Sequence, residues 1–449
     1  MLKIASSRLL SNQAIFVVIA CLFVTFILDT TFVRTYDIIN KQSIPIQTKN
    51  IIFSLNVSFC LLFQFLILQY TKSLTVKKQL HTKLSLKFFE GLGRFGYFFI
   101  VVTVAFMIFQ IFYFEYYSSF ILILIILVTY GIAAILVGKT TILFLSWYRQ
   151  THNFLILMYF VSMLLILFTL ILTNLIVNLY LNERPREISE FAGGSMDVTG
   201  GKYSYFNPVF KLSTIISFLS IWLTTSLLMY SSKDRMISQV RYWVIPIILL
   251  SYFLTSYLAQ EIYRPILVPF FQFNPIMLTI LLIMIFTLAK PIGGIMFGVA
   301  FWNISKKVSF EKSLRGYMII SGYGFLLLFC SNQASFLILT PYPPFGVATV
   351  TILVVSSYLI MVGIYTSAAL VSINNNVRNS IHQIAKESKL LDFIGKAEME
   401  KEVTKIVKKV SKETENEEDI AKTSFDLDEQ GLKNYIIELA DELKKRKSI

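Results

Sequence analysis

The sequence predicts an all-α fold: a polytopic transmembrane helix bundle of about ten spans, followed by an amphipathic helical tail. Three observations predict it. The 449 residues are 55% hydrophobic and only 15% charged, against about 25% charged in a soluble domain. Apolar runs of about 20 residues, the length that crosses roughly 30 Å of hydrocarbon, recur along the chain. Lys and Arg are also concentrated in alternate connecting segments, the pattern the positive-inside rule describes. Forty Phe and 23 Tyr against 19 Gly and 11 Pro exclude disordered and collagen-like classes.

Taken in order, the runs cover 12–33, 51–70, 95–114, 120–147, 153–180, 212–230, 242–260, 274–303, 316–338 and 346–371, which makes 1–371 a bundle. Nine to eleven spans fit and ten fit best. The first run follows Lys3 and Arg8 but has no small-residue cleavage site after it, so it is expected to be a retained helix. It carries Asp29, and 316–338 carries Ser331, Asn332 and Gln333; these two runs are the least uniform.

With ten spans both termini share one side. Segments 1–11, 71–94, 148–152, 231–241 and 304–315 hold 16 basic and 3 acidic residues. The opposite segments hold 8 of each, with Asp29 counted at the end of its span. Both termini are therefore expected in the cytoplasm and the bundle in the plasma membrane. Of the outward loops, 181–211 carries Gly and Pro at turn density and is long enough to lid the bundle. The turn Pro341–Gly346 is stiffened by three prolines.

The remainder changes composition. Residues 372–410 form an amphipathic, coiled-coil-like helix with Ile384, Leu391, Ile394, Val403, Ile406 and Val410 near 3/4/7 spacing. An acidic linker, 411–425, leads to a closing helix, 426–449, with a basic end that suits the helix dipole. Neither helix makes a core alone, so each needs a partner: the other, a second copy in a homodimer, a cytoplasmic protein or the membrane surface. The net charge of +14 resides in the inner loops and two embedded lysines. It predicts orientation and attraction of anionic lipids near Lys72–Arg94, not a nucleic-acid surface.

Chemical motifs are sparse. Gly91-Leu-Gly93-Arg-Phe-Gly96 matches a dinucleotide fingerprint by letter, but a membrane span follows it where a soluble βαβ unit is required, so helix-packing glycines are the better reading. Gly138-Lys139-Thr140 lacks the first glycine of a P-loop, with Ala133 in its place. His81, His152 and His382 are scattered, and Cys21, Cys60 and Cys330 lie in apolar runs. Neither a catalytic set, a metal site nor a cofactor site is predicted, and the chain is expected not to be an enzyme.

The fourth and eighth spans hold the candidate functional positions: Lys139, and Lys290, Pro291, Gly293 and Gly294. A lysine at mid-membrane costs about 2.5–3.5 kcal/mol, which marks it for function. Pro291 with Gly293-Gly294 breaks a helix in the manner of transporter sites. Gly294 and Gly298 form a small-residue packing face. Depth gives the plainer alternative. At 1.5 Å per residue, Lys139 and Lys290 lie ~28 Å and ~24 Å from the outward ends of their spans, where lysine snorkels to the interface.

Cys330-Ser-Asn-Gln-Ala-Ser335, Pro341-Tyr-Pro-Pro-Phe-Gly346, Ser357-Tyr-Leu-Ile-Met-Val-Gly-Ile-Tyr-Thr366, Lys389-Leu-Leu-Asp-Phe-Ile-Gly395 and Met399-Glu400 together resemble a family of uncharacterised multi-pass proteins of ammonia-oxidising archaea. The resemblance spans about 70 residues. It implies an archaeal plasma-membrane protein and carries over no functional residue. The leading functional expectation is a sensor or receptor-like membrane module acting on a separate cytoplasmic partner. The alternatives are a secondary transporter with a broken helix at Lys290–Gly294 and an accessory subunit of a membrane complex.

Orientation has a direct test. In intact cells, a membrane-impermeant maleimide should label Ser195→Cys and spare Ser232→Cys, and the reverse pattern contradicts the assigned topology.

Overall fold

The computed structural model describes residues 12–34, 45–76, 84–189, 206–231, 239–258 and, with breaks, 291–404. Its elements are α1 (Asn12–Arg34), α2 (Ile46–Val76), α3 (Leu84–Phe114), β1 (Tyr116–Ser118), α4 (Ser119–Thr151), α5 (Phe154–Asn182), β2 (Glu187–Ser189), α6 (Phe206–Ser231), α7 (Gln239–Leu258), α8 (Lys312–Ser331), α9 (Phe336–Leu339) and α10 (Val347–Ile373). Residues 294–306 and 390–401 are also helical.

Among the described residues, eight helices are long and apolar enough to cross a membrane, and they coincide with eight of the ten predicted runs. The seventh run appears as a shorter apolar helix, Trp243–Thr255, within α7. Most of the eighth lies outside the described residues. Its last part, 294–306, runs antiparallel to α8: a Cβ on Gly294 would lie 3.0 Å from the Leu326 carbonyl, and one on Gly298 the same distance from that of Gly322. The small-residue face predicted at Gly294 and Gly298 is thus in use.

Two boundaries differ from expectation. The run 316–338 is not one helix. It stops at Ser331, where the Asn332 N–H closes the last turn on the Leu328 carbonyl, and α9 follows separately. The polar pair ends the helix by bonding elsewhere: the Gln333 amide donates to the Cys330 carbonyl at 2.9 Å, and Asn332 Oδ1 accepts from the Tyr130 hydroxyl of α4 at 3.1 Å. In the loop after α5, Glu187–Ser189 pairs antiparallel with Tyr116–Ser118, a small sheet that apolar periodicity could not announce.

α10 is the centre. Its apolar window is 100% buried, against 28% for that of α3. α8, α4, α2, α3 and α1 surround it, and α5, α6 and α7 extend the bundle beyond α4. The composition explains the placement. In lipid, close approach of backbones replaces the hydrophobic effect as the driving force, so small residues belong inside. α10 carries Ala348, Ser356, Ser357, Gly363, Ser367 and Ala368. α3 instead turns Phe95, Phe98, Phe106, Phe109 and Phe112 outward. At the α8–α10 crossing, a Cβ on Gly324 would lie 2.8 Å from the Ile360 nitrogen, and one on Gly363 2.8 Å from the Tyr317 carbonyl. On the other side, Phe218 gathers Phe253, Phe297 and Phe329 into one aromatic cluster joining α6, α7, 294–306 and α8.

The GLGRFG stretch serves packing too. Gly93 lies under the Tyr358 ring and Gly96 against Ile132, whereas Gly91 faces open space. α4 and α5 form a tight helical hairpin. His152 closes α4 in the left-handed region, and the Asn153 side chain caps α5 by accepting from Leu155 N–H at 2.9 Å.

A pair of variants separates these roles. Gly363→Ala should destabilise the bundle by about 2 kcal/mol through overpacking. Gly91→Ala should be neutral or stabilise by up to about 1 kcal/mol through helix propensity. Midpoints of SDS-induced unfolding measure both.

Candidate functional site: the two ends of the buried helix

A helix buried on all sides cannot hand its first N–H groups to water. α10 hands them to α1. The Asp29 carboxyl accepts from Gly346 N–H at 2.9 Å, from Thr349 N–H at 2.9 Å and from the Thr349 hydroxyl at 2.7 Å. A capping carboxylate normally comes from the helix itself; here a separate span supplies it, and it also suits the positive end of the dipole. Gly346 has φ 103°, a left-handed backbone that only glycine adopts without strain. The sequence reading counted Asp29 at the end of the first span in the charge balance. It is fully buried.

The turn before α10 is held from several sides. The Asn50 amide donates to the Tyr342 hydroxyl at 3.3 Å, and Tyr342 stacks on Tyr117 with centroids 6.2 Å apart. Phe345 is stacked on Phe32 and meets Phe53 edge-on. Arg184, which follows α5, donates to the Ile338 carbonyl. One turn into α10, the buried Gln64 amide donates to Thr351 Oγ1 at 3.0 Å and to Cys60 Sγ at 3.2 Å, and Cys60 donates in turn to the Ala348 carbonyl. Such bonds tie membrane helices together, each worth about 1 kcal/mol.

At the opposite end the tail folds back. Glu398, 1% exposed, accepts from the Trp147 indole N–H at 2.9 Å and from Lys401 Nζ at 3.5 Å. Gly395 sits so close to Val371 that a Cβ would overlap its side chain. Leu390, Leu391, Ile394 and Ala397 are buried with it. The helix 390–401 therefore spans the ends of α4 and α10. In the same half of the bundle Arg94 and Glu90 pair at 3.3 Å, one turn apart on α3.

The predicted positions are distributed as follows. Lys139 is half-buried with its ammonium 5.4 Å from the centre of the Phe89 ring, a cation–π contact. Lys290 and Gly293 lie outside the described residues, and Pro291 is buried. Gly294 and Gly298 meet α8. Leu391 and Ile394 were expected to wait for a partner. They are buried within the chain because its own bundle offers the apolar surface. Val403 is half-buried, and Ile384, Ile406, Val410 and the segments 411–425 and 426–449 lie outside the described residues. No group of three or more metal-ligating side chains occurs among the described residues.

Three residues that sequence reasoning missed carry this arrangement: Asp29, Gln64 and Glu398. A signal existed for the first two, since a carboxyl or amide inside an apolar run needs a partner at the same depth. Asp29→Ala should cost about 3 kcal/mol by leaving two buried N–H groups unpaired. Thr349→Val, which removes only the hydroxyl, should cost about 1 kcal/mol in the same unfolding measurement.

Compared with known proteins, the chain matches no family model, no curated protein and no solved structure.

Proposed function

We propose that this chain is a sensor or receptor-like module of the plasma membrane, with both termini cytoplasmic, that passes a change in its bundle to a separate cytoplasmic protein through the 390–401 helix. One observation carries the reading: that helix is latched to the ends of α4 and α10 by Trp147, Glu398 and the Gly395–Val371 contact. A small shift between two packed spans is then a shift in the seat of the tail. The latch has a suitable strength. A buried hydrogen bond to a charged group is worth about 1.5–3 kcal/mol, so a few such contacts hold a seat that a signal of similar size can release. The half-exposed Lys396 and Lys401 present the outer face of the helix to a partner.

The test is crosslinking mass spectrometry in native membranes through Lys396 and the tail lysines Lys401 to Lys412, comparing the native chain with Trp147→Phe. Phe keeps an aromatic ring and removes the N–H donor. The proposal expects one recurrent protein whose capture changes at least about threefold when the latch is weakened, a change worth roughly half of one such hydrogen bond. Capture at fixed stoichiometry that ignores the latch would instead indicate an accessory subunit, and no capture in either chain would refute signalling through the tail.

A further inference from the structure

The outer face of the bundle has a groove of about 420 Å³ between α1 and α2, lined from one side by Cys21, Thr25 and Leu28 and from the other by Leu55, Asn56 and Phe59. A volume of this order suits one small molecule. Leu28, Leu55 and Phe59 are each about half exposed on that face, so the groove opens sideways toward lipid.

Asn56 is the anomaly in its wall. It is 6% exposed, and neither its amide nitrogen nor its amide oxygen has a hydrogen-bond partner. Thr25, opposite, already donates its hydroxyl to the Leu22 carbonyl at 2.8 Å. An unpaired amide inside hydrocarbon is costly, and Asn56 differs from Asn50 and Gln64 of the same helix, whose amide nitrogens donate to Tyr342 and Thr351.

We propose that this groove holds one neutral, hydroxyl-bearing lipid-soluble molecule, its chain along the apolar walls and its hydroxyl on Asn56. A hydroxyl is the small group that answers both unpaired functions, accepting from the amide N–H and donating to the amide oxygen. Among the described residues no charged side chain lines the groove, so a charged headgroup finds no counter-charge from them. Depth points the same way. Asn56 lies ten residues into α2, about 15 Å along the helix, so the polar group is met inside the hydrocarbon and not at the membrane surface. This inference does not depend on the signalling proposal, since the groove and the tail latch share no residue.

The experiment uses the full chain in nanodiscs and a diazirine-bearing hexadecan-1-ol as photoprobe. Labelling is expected on peptides containing residues 21–32 and 52–63, and unlabelled hexadecan-1-ol should compete about fivefold better than hexadecane, the ratio that one net hydrogen bond supplies. Asn56→Leu should abolish that preference while leaving the fold intact. Cys21→Phe, which fills the groove, should remove the labelling itself. Equal competition by hexadecane, labelling confined to other helices, or crosslinks joining two copies across the groove would each overturn the proposal.

Discussion

The structure depends on one constraint: a helix enclosed on every side, in a medium without water, must find protein partners for its own backbone ends. α10 meets it through Asp29, whose two carboxyl oxygens take the N–H groups of Gly346 and Thr349. That contact fixes more than a cap. It sets the depth of α1 against α10, places Phe32 beside Phe345, and leaves Phe53 of α2 on the other edge of the same ring. Gln64 repeats the principle within the span, binding α2 to α10 through Thr351.

Size of side chain then sorts the remaining helices. Where lipid tails are as apolar as leucine, a large aromatic gains little by moving inward, whereas a glycine or serine allows two backbones to approach. The bundle follows that rule: small residues mark the α8–α10 and 294–306–α8 crossings, and α3 spreads its phenylalanines over the periphery. Charged side chains within this frame have specific seats. Lys139 rests on a ring face, and Glu90 shares its turn with Arg94.

Much of this was legible in the sequence, for physical reasons that differ by feature. Span positions follow from length and apolarity alone, so eight of the ten runs reappear as long apolar helices. The role of Gly294 and Gly298 follows from their spacing on one helix face. Which helix stands at the centre is not a local property; the density of small and hydroxyl residues in 347–371 was its only trace. Asp29 misled because a carboxyl near a span end looks the same whether it faces water or caps another helix. The tail misled likewise. Its apolar stripe at Leu391 and Ile394 announced burial correctly, but periodicity cannot say against what, and the docking surface lies more than 240 residues away at Trp147. β1 and β2, three residues each, fall below what any periodicity resolves.

The arrangement joins two ends of one buried rod: a cap from α1 at its start and a folded-back tail at its finish. If that is the design, α10 never meets lipid while α3 does so along its length. A bilayer-dissolved carbene reagent, activated by light and read out by mass spectrometry, measures this directly. Peptides from 95–114 should be labelled heavily and peptides from 347–371 not at all. Labelling of 347–371 comparable to that of α3 would contradict the buried-helix architecture and the site built on it.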